Sequence, residues 1–359
     1  LQQIFVDLCR NPVGEYLERF DFGTDLVEAM YGVTDGFTGS FSSWDEGASG
    51  MNFLIHNMCR MQGSHGVWSI VRGGMGTVTR QLAEAAERDG AMLETGTSVA
   101  EIETGSAGVT GVALENGEIC EAEAVLVNAD PFRMRELLDD AQVPASYDEQ
   151  LDEWHRDGTT LKVNLALEAL PEFRCLPEQR GQHGTTIHIL PDEGEVHARL
   201  RQAFDSVRAG RLPEFPSIEW YIHTTVDPSL SDPDGHHSSA LFVQWVPYEL
   251  AESTWESEGE SYARHLLSIC DEFAPGTSDL VADMQVLHPK AIEEHFGITR
   301  GHIHHIDNVF GFDERHPYSV PVGGLYSCSA GCHPGGSVIG AAGHNAARCI
   351  LDDLGAASN

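Results

Sequence analysis

The stretch GLYSCSAGCHPGGSVIGAAGHNAARCILDDLG, residues 324–355, decides how this chain is read. The apolar run from Leu325 to Ser329 predicts a buried strand, the glycines that follow a tight turn, and residues from Ser337 to Leu354 a helix. Glycine allows close backbone approach and positive φ. The first turn of a helix presents unpaired N–H groups to an anionic or polar ligand. Such a unit ordinarily opens a nucleotide-binding fold. Here it closes the chain, so other segments must complete its domain.

A second unit of this kind is GVWSIVRGGMGTVTRQLAEAAERDGAMLETGTSVAEIE, residues 66–103. It reads as a short strand, a turn at Gly73, Gly74 and Gly76, a helix from Thr77 to Arg88, a stop at Gly90 and a strand from Ala91. Three strands follow, VAEIET, VTGVALEN and AEAVLVN, with a hairpin turn at Asn116-Gly117, and together they predict a meander ended by NADPF at residues 128–132. Residues 1–63 carry helical periodicity around a Gly/Ser-rich loop, TDGFTGSFSSWDEGASG. Between 159 and 250 the pattern changes to long alternating strands, TTLKVNLALEAL, GTTIHIL, SIEWYIHTT and SALFVQWVPYEL, with helices near 194–208, 255–273 and at PKAIEEHFG. The expected fold class is α/β plus α+β: a nucleotide-type domain interrupted by a domain of antiparallel sheet and helices.

The formal charge of −35 comes from 56 acidic and 21 basic residues, with Lys162 and Lys290 as the two lysines. Such a surface repels phosphate backbones and anionic head groups, which excludes nucleic acid as a partner and leaves at most peripheral membrane contact. It is the composition expected of adaptation to a salty cytoplasm. The 8 cysteines show no C-x-x-C pair and read as reduced, mostly buried thiols. No apolar run reaches the ~18 residues of a membrane span and no signal peptide is present, so the expected location is the cytoplasm, or the mitochondrial matrix in a eukaryote. The chain starts at Leu1 inside a helical pattern, which predicts a longer precursor.

The GGMG turn with its helix, ETGTSVAEIE, the meander ending in NADP and above all GLYSCSAGCHPGGSVIGAAGHNAA resemble the phytoene-desaturase-like flavoproteins, most of all the branch called pyridine nucleotide-disulphide oxidoreductase domain-containing protein 2. GVWSIVRGGMG, LKVNLALEALPEF, TVDPSLSDPDGHH, QWVPYELA and LHPKAIEEHFGITRGHIHH extend the resemblance along the whole chain. It implies an FAD-binding, Rossmann-like domain of the glutathione-reductase type, made of residues 66–131 and 322–359, and a substrate domain made of residues 1–65 and 132–321. It also implies that Gly73, Gly74, Met75, Val99, Asn128, Gly331, His333, Pro334, Gly335, Gly336, Val338 and Ile339 touch FAD. N–H groups at the start of the helix from Ser337 would then stabilise negative charge on the reduced flavin. One departure is large: no G-x-G-x-x-G follows a strand here, so the N-terminal βαβ unit that seats the pyrophosphate is expected from a longer precursor or a Rossmann-type partner subunit.

The expected activity is FAD-dependent hydride transfer between flavin N5 and an apolar, polyene or isoprenoid substrate, as a dehydrogenase, isomerase or saturase. An amine-oxidase-like flavoenzyme and a non-catalytic interaction protein are the alternatives. No catalytic dyad stands out. His333 is either an acid/base or a backbone hydrogen-bonder, and His56 either lies near the substrate entrance or is a satisfied core histidine. His302, His304, His305 and the pair His236-His237 lack a carboxylate or cysteine at ligand spacing, so no metal is expected. No G-x-S-x-G elbow supports nucleophilic chemistry.

Overall fold

The computed structural model describes residues 1–47, 49–58, 70–336 and 338–355. The centre of the fold is an antiparallel sheet of five strands in the order β6-β7-β8-β5-β9: β5 Thr160–Leu167, β6 Ile187–Ile189, β7 Ser217–Ile222, β8 His237–Gln244 and β9 Val281–Leu287. Alternation places Leu161, Val163, Leu165, Ile218, Trp220, Leu241 and Val243 on one face, where they bury the apolar side of helix α9, Trp255–Phe273. That helix starts where a capping box predicts, with Thr254 and Ser257 exchanging hydrogen bonds. The register sets His188, Glu219, Phe242, Lys162 and Leu287 in one row across the opposite face.

This second face is covered as well. Helices α1 Gln2–Arg10, α2 Val13–Leu17, α3 Asp25–Tyr31 and α4 Ser49–Met58 form a layer whose Val13, Leu17, Val33, Phe37 and Trp44 pack with Trp245 and with Val196, Leu200, Phe204 and Val207 of α8, Val196–Arg208. The buried Gln244 amide joins layer to sheet: Oε1 accepts from the Gly39 N–H at 3.1 Å and Nε2 donates to the Phe37 carbonyl and the Thr159 hydroxyl, each at 3.1 Å.

A second body surrounds the segment that decides the fold. Helix α5, Gly76–Arg88, precedes a small antiparallel sheet of β1 Val99–Gly105, β2 Gly108–Leu114 and β3 Ile119–Glu121. Strand β4, Val125–Val127, leaves that sheet and pairs in parallel with β10, Leu325–Ser327. The expected meander is corrected accordingly: its third strand is Ile119–Glu121, and the continuous apolar run of β4 suits a parallel partner better than an alternating hairpin. Ile102, Val109, Met134, Tyr147, Leu151, Trp154, Ile306, Val322 and Leu325 form the core here, with α6 Pro131–Glu136 and α7 Ala145–Trp154 against it.

Other expectations change. The last helix, α11, spans Ala341–Asp353 rather than starting at Ser337, because Val338 at φ 54° and Gly340 at φ 68° break the helical path. The strand expected from Ala91 is absent: residues 91–95 find no neighbouring strand among the described residues, and Met92 is 98% exposed. Strand β9 was not anticipated, and helix α10, Pro289–Phe296, was. The strand expected before Gly73 falls largely outside the described residues.

Leu325 is fully buried opposite Val125, so Leu325→Ala should cost about 2–5 kcal/mol in urea unfolding. A loss within ~0.5 kcal/mol would mean that β10 is not part of this core.

Candidate functional site

Beyond β10 the chain turns through Gly331–Gly336, held by Cys332 N–H to the Ser329 carbonyl at 3.0 Å and Gly335 N–H to the Cys332 carbonyl at 2.8 Å. The buried Arg315 guanidinium braces this turn. It donates to the carbonyls of Ile306 at 2.8 Å and Ala330 at 2.6 Å and to Asn308 Oδ1 at 2.6 Å. Asn308 reaches Asn52 of α4 at 2.6 Å, and Ile55 of the same helix lies 3.6 Å from where a Cβ on Gly335 would stand. Gly335 has φ 106°, which only glycine adopts without strain. A Cβ on Gly336 would meet nothing closer than Ala330 Cβ at 3.6 Å, and Val338 and Ile339 beside it are 65% and 45% exposed. Pro334, Gly336, Val338 and Ile339 thus lie on the open side of this turn, whereas Gly331 and Gly335 are buried, Gly331 with Ser329 Oγ 3.2 Å and Ile306 3.3 Å from its Cβ position.

His333 belongs to the frame of that surface. Its Nε2–H donates to the Phe312 carbonyl, its ring packs 4.1 Å from Phe312, and its carbonyl accepts from Tyr318. Burial lowers its pKa, so the ring is neutral at pH 7. Cys332 is buried against His316 and Ser327, and Cys328 donates to Asn128 Oδ1 at 3.7 Å. Both thiols are free.

The first glycine turn is tied to the antiparallel domain. The Gly73 N–H donates to the Asp227 carboxylate at 2.6 Å and Gly74 faces Leu230, while Met75 and Val99 are exposed. The Gly73 N–H is therefore already committed. The Leu230 loop borders a cavity of about 410 Å³ above the sheet, lined by Lys162, Asn164, His223, Ser238, Asp283 and Gln285. Among the described residues Lys162 makes no ion pair, and burial lowers its pKa.

Further along this face lies a cluster that sequence reading missed. Glu219, 3% exposed, accepts from the Tyr221 hydroxyl, and burial, together with the charge of Asp35, lifts its carboxyl to about 7. Burial raises Asp35 to about 6, and Asn57 donates to it at 3.2 Å. His56 Nδ1 stands 3.9 Å from Asp35 and is held neutral by burial, near 4. SIEWYI alternates apolar with polar, which reads as one dry and one wet face; the helical layer makes both dry.

His302 pairs with Asp307 at 3.1 Å and His304 with the Thr38 carbonyl at 2.8 Å, so both brace the fold. One expectation needs correcting: the turn before β8 does bring Asp232, Asp234 and His236 together within 4.8 Å. His236 is spent on Asp232, at 2.6 Å, and the group is exposed.

Glu219 keeps its proton to about pH 7 in the fold but releases it near 4.5 when unfolded. Across that window the fold binds a proton the unfolded chain has lost, so this group makes stability fall as pH rises, by at most ~1.4 kcal/mol per unit. His56, protonated near 6.5 only when unfolded and near 4 in the fold, acts in the opposite sense between those values. The urea midpoint of Glu219→Gln should therefore gain on the parent between about pH 4.5 and 7 and run level above. A pH-independent difference would mean that Glu219 is ionised in the fold.

Residues 6–192 match the family described as flavin containing amine oxidoreductase. The pyridine nucleotide-disulfide oxidoreductase domain-containing protein 2 of Rattus norvegicus is 32% identical over 366 residues, covering 98% of this chain and 62% of that protein. The zeta-carotene-forming phytoene desaturase of Myxococcus xanthus is 28% identical over 223 residues, 62% of this chain and 38% of that one. The cyclohexylamine oxidase of Brevibacterium oxydans IH-35A shares the fold, with TM-score 0.57 at 15% identity over 97% of this chain and 68% of its own. The chain thus spans about three fifths of the rat relative it matches, 62%. A β4–β10 unit closing on a glycine turn, set against a large antiparallel sheet, and a matching sequence over half its length place this chain in the flavin containing amine oxidoreductase family.

Proposed function

We propose that the chain is the substrate-bearing part of an FAD-dependent oxidoreductase, with a glutathione-reductase-type cofactor domain built from residues 66–131 and 322–359. The observation that carries this is the open glycine surface over a buried cation. A Cβ would fit at Gly336 without a clash, and among the described residues the buried Arg315 Nε has no partner. Both features suit a flat, electron-rich ring system. Bound flavin would accept or return hydride at N5. Ile55, Val338 and Ile339 would shield it from water, and the sheet face with Lys162 would support the reacting carbon. The relatives named for phytoene desaturation favour an apolar, polyene or isoprenoid substrate. Free thiols throughout the described residues suit a reducing compartment, the cytoplasm or a mitochondrial matrix.

A second reading rests on the polar row across the sheet. Lys162 lines the cavity above the sheet and Glu219 and Asp35 are buried nearby on the same side, a polar setting that favours a substrate with an amine or another polar group, as in an amine-oxidase-like enzyme. Comparing polyenes with amines as reductants of the bound flavin separates the two.

A Rossmann-type βαβ segment is the occupant proposed for the uncovered side of residues 70–99. No residue of α5 is fully buried, and Met75, Leu82, Met92 and Leu93 are exposed there. Among the described residues no helix is long and apolar enough to cross a membrane. Residues 1–359 alone should remain flavin-free and self-associating, and should gain flavin when a Rossmann segment is supplied, more firmly at high salt as acidic surfaces are screened. A monodisperse, flavin-loaded monomer of these residues would overturn this.

Gly336→Val should lose the flavin absorbance near ~450 nm, a general property of oxidised flavins, while its unfolding midpoint stays close to the parent's. Gly335→Val should lose both, because of its φ of 106°. Parent-like flavin content in Gly336→Val would show that the turn is only packing.

A further inference from the structure

The expected source of positive potential beneath the flavin, helix N–H groups at Ser337, is displaced in the fold: α11 begins at Ala341, after a left-handed Gly340. A different positive charge occupies the base of the same turn. Arg315 is 6% exposed. Its two terminal nitrogens are spent on the Ile306 and Ala330 carbonyls and Asn308, all neutral, and Nη2 lies 4.0 Å from the Cβ position of Gly335. No carboxylate pairs with it among the described residues. The carboxylate that acts on it, Asp307, is engaged elsewhere, by His302 at 3.1 Å and by the N–H groups of Phe41 at 2.8 Å and Val309 at 3.1 Å. Cys332, the other group that would add negative charge, has its thiol pKa raised by burial and stays protonated. His316 and His333 have lowered pKa values, with burial as the largest cause, and stay neutral. The base of the turn therefore carries the Arg315 cation in a dry setting, opposed by the Asp307 carboxylate without an ion pair between them, and Coulomb interactions there are several times stronger than in water.

We infer that Arg315 is a positioning and tuning residue for the flavin: its guanidinium fixes the glycine turn through Ala330 and raises the reduction potential of a flavin bound over that turn. The inference rests on the flavoenzyme reading. Two-electron reduction adds negative charge to the ring system, so a cation nearer to the ring than its opposing carboxylate favours the reduced form. A neutral side chain forfeits that preference, whereas a lysine keeps the charge and loses the fork of hydrogen bonds.

Dye-equilibration potentials of the flavin-loaded protein and of R315Q, R315K and D307N test this. R315Q should shift the reduced-to-oxidised ratio at least about tenfold toward oxidised, a midpoint lower by ~30 mV or more for a two-electron couple. R315K should stay close to the parent, although both variants melt earlier for want of the Ile306 and Ala330 bonds. D307N, which removes the opposing charge, should shift the ratio the other way. A purely structural Arg315 would lower the melting temperature in R315Q and R315K alike and leave the potential unmoved; that result overturns the inference. If R315Q does not retain flavin, D307N decides alone, and an unshifted potential there also overturns it. A parent protein that stays flavin-free even when a Rossmann segment is supplied would refute the flavoenzyme reading itself, a different outcome from a flavin-loaded parent with flat potentials.

Discussion

Where the helical layer meets the five-stranded sheet, the buried Gln244 amide binds backbone of the 37–40 loop on one side and Thr159 on the other, beside the Trp245 indole that donates to the Ser42 carbonyl. An antiparallel sheet of the kind that usually keeps one face wet is thereby covered on its second face over Glu219 and left partly open over Lys162 and Asn164. Glu219, Tyr221 and Lys162 point to what would otherwise be the solvent side. Covered, they become costly to ionise, and their titration shifts follow from that single packing decision. The cavity beside the Leu230 loop is the gap this cover leaves.

Much of the fold was legible because its signals are local. Thr254 followed by an amphipathic run gives a helix over Trp255–Phe273, and a glycine turn after LYS gives the strand at Leu325–Ser327. The errors arose where a distant segment decides. Nothing within AEAVLVN says that its partner lies near residue 325, so it was assigned to the nearer hairpin. The site was legible as a set of glycines but not as a chemical environment. Gly73 donates to Asp227 and Arg315 braces Ala330 across long sequence separations, and neither pairing leaves a periodic trace. Glu219 was hidden for the opposite reason: its polar-apolar alternation reads clearly, and points to the wrong exposure.

In a chain of net charge −35, the placement of cations is informative. Most arginines in ion pairs sit at the surface opposite Asp or Glu, as Arg201 does with Asp45 and Arg264 with Glu260. Such exposed pairs contribute little to stability and fade with salt. Arg315 and Lys162 are different: Arg315 is buried and Lys162 half-buried, and both lack a paired carboxylate among the described residues. The surrounding acidic field favours their charged forms. Burial lowers Arg315 only to about 10, so it is cationic at neutral pH.

The parallel pair of β4 and β10 joins residues 200 apart in sequence, Val127 and Ser327. On a ribosome, β4 emerges long before its partner exists. All five strands of the antiparallel sheet lie between them in sequence and can pair before β10 is made, while β4 waits with an unsatisfied apolar edge. The β4–β10 pair can therefore form only after residues 325–327 have been made. A ribosome stalled before residue 325 would carry a nascent chain with a formed sheet and an open, aggregation-prone flank, which gives chaperone capture a defined window in this protein's biogenesis.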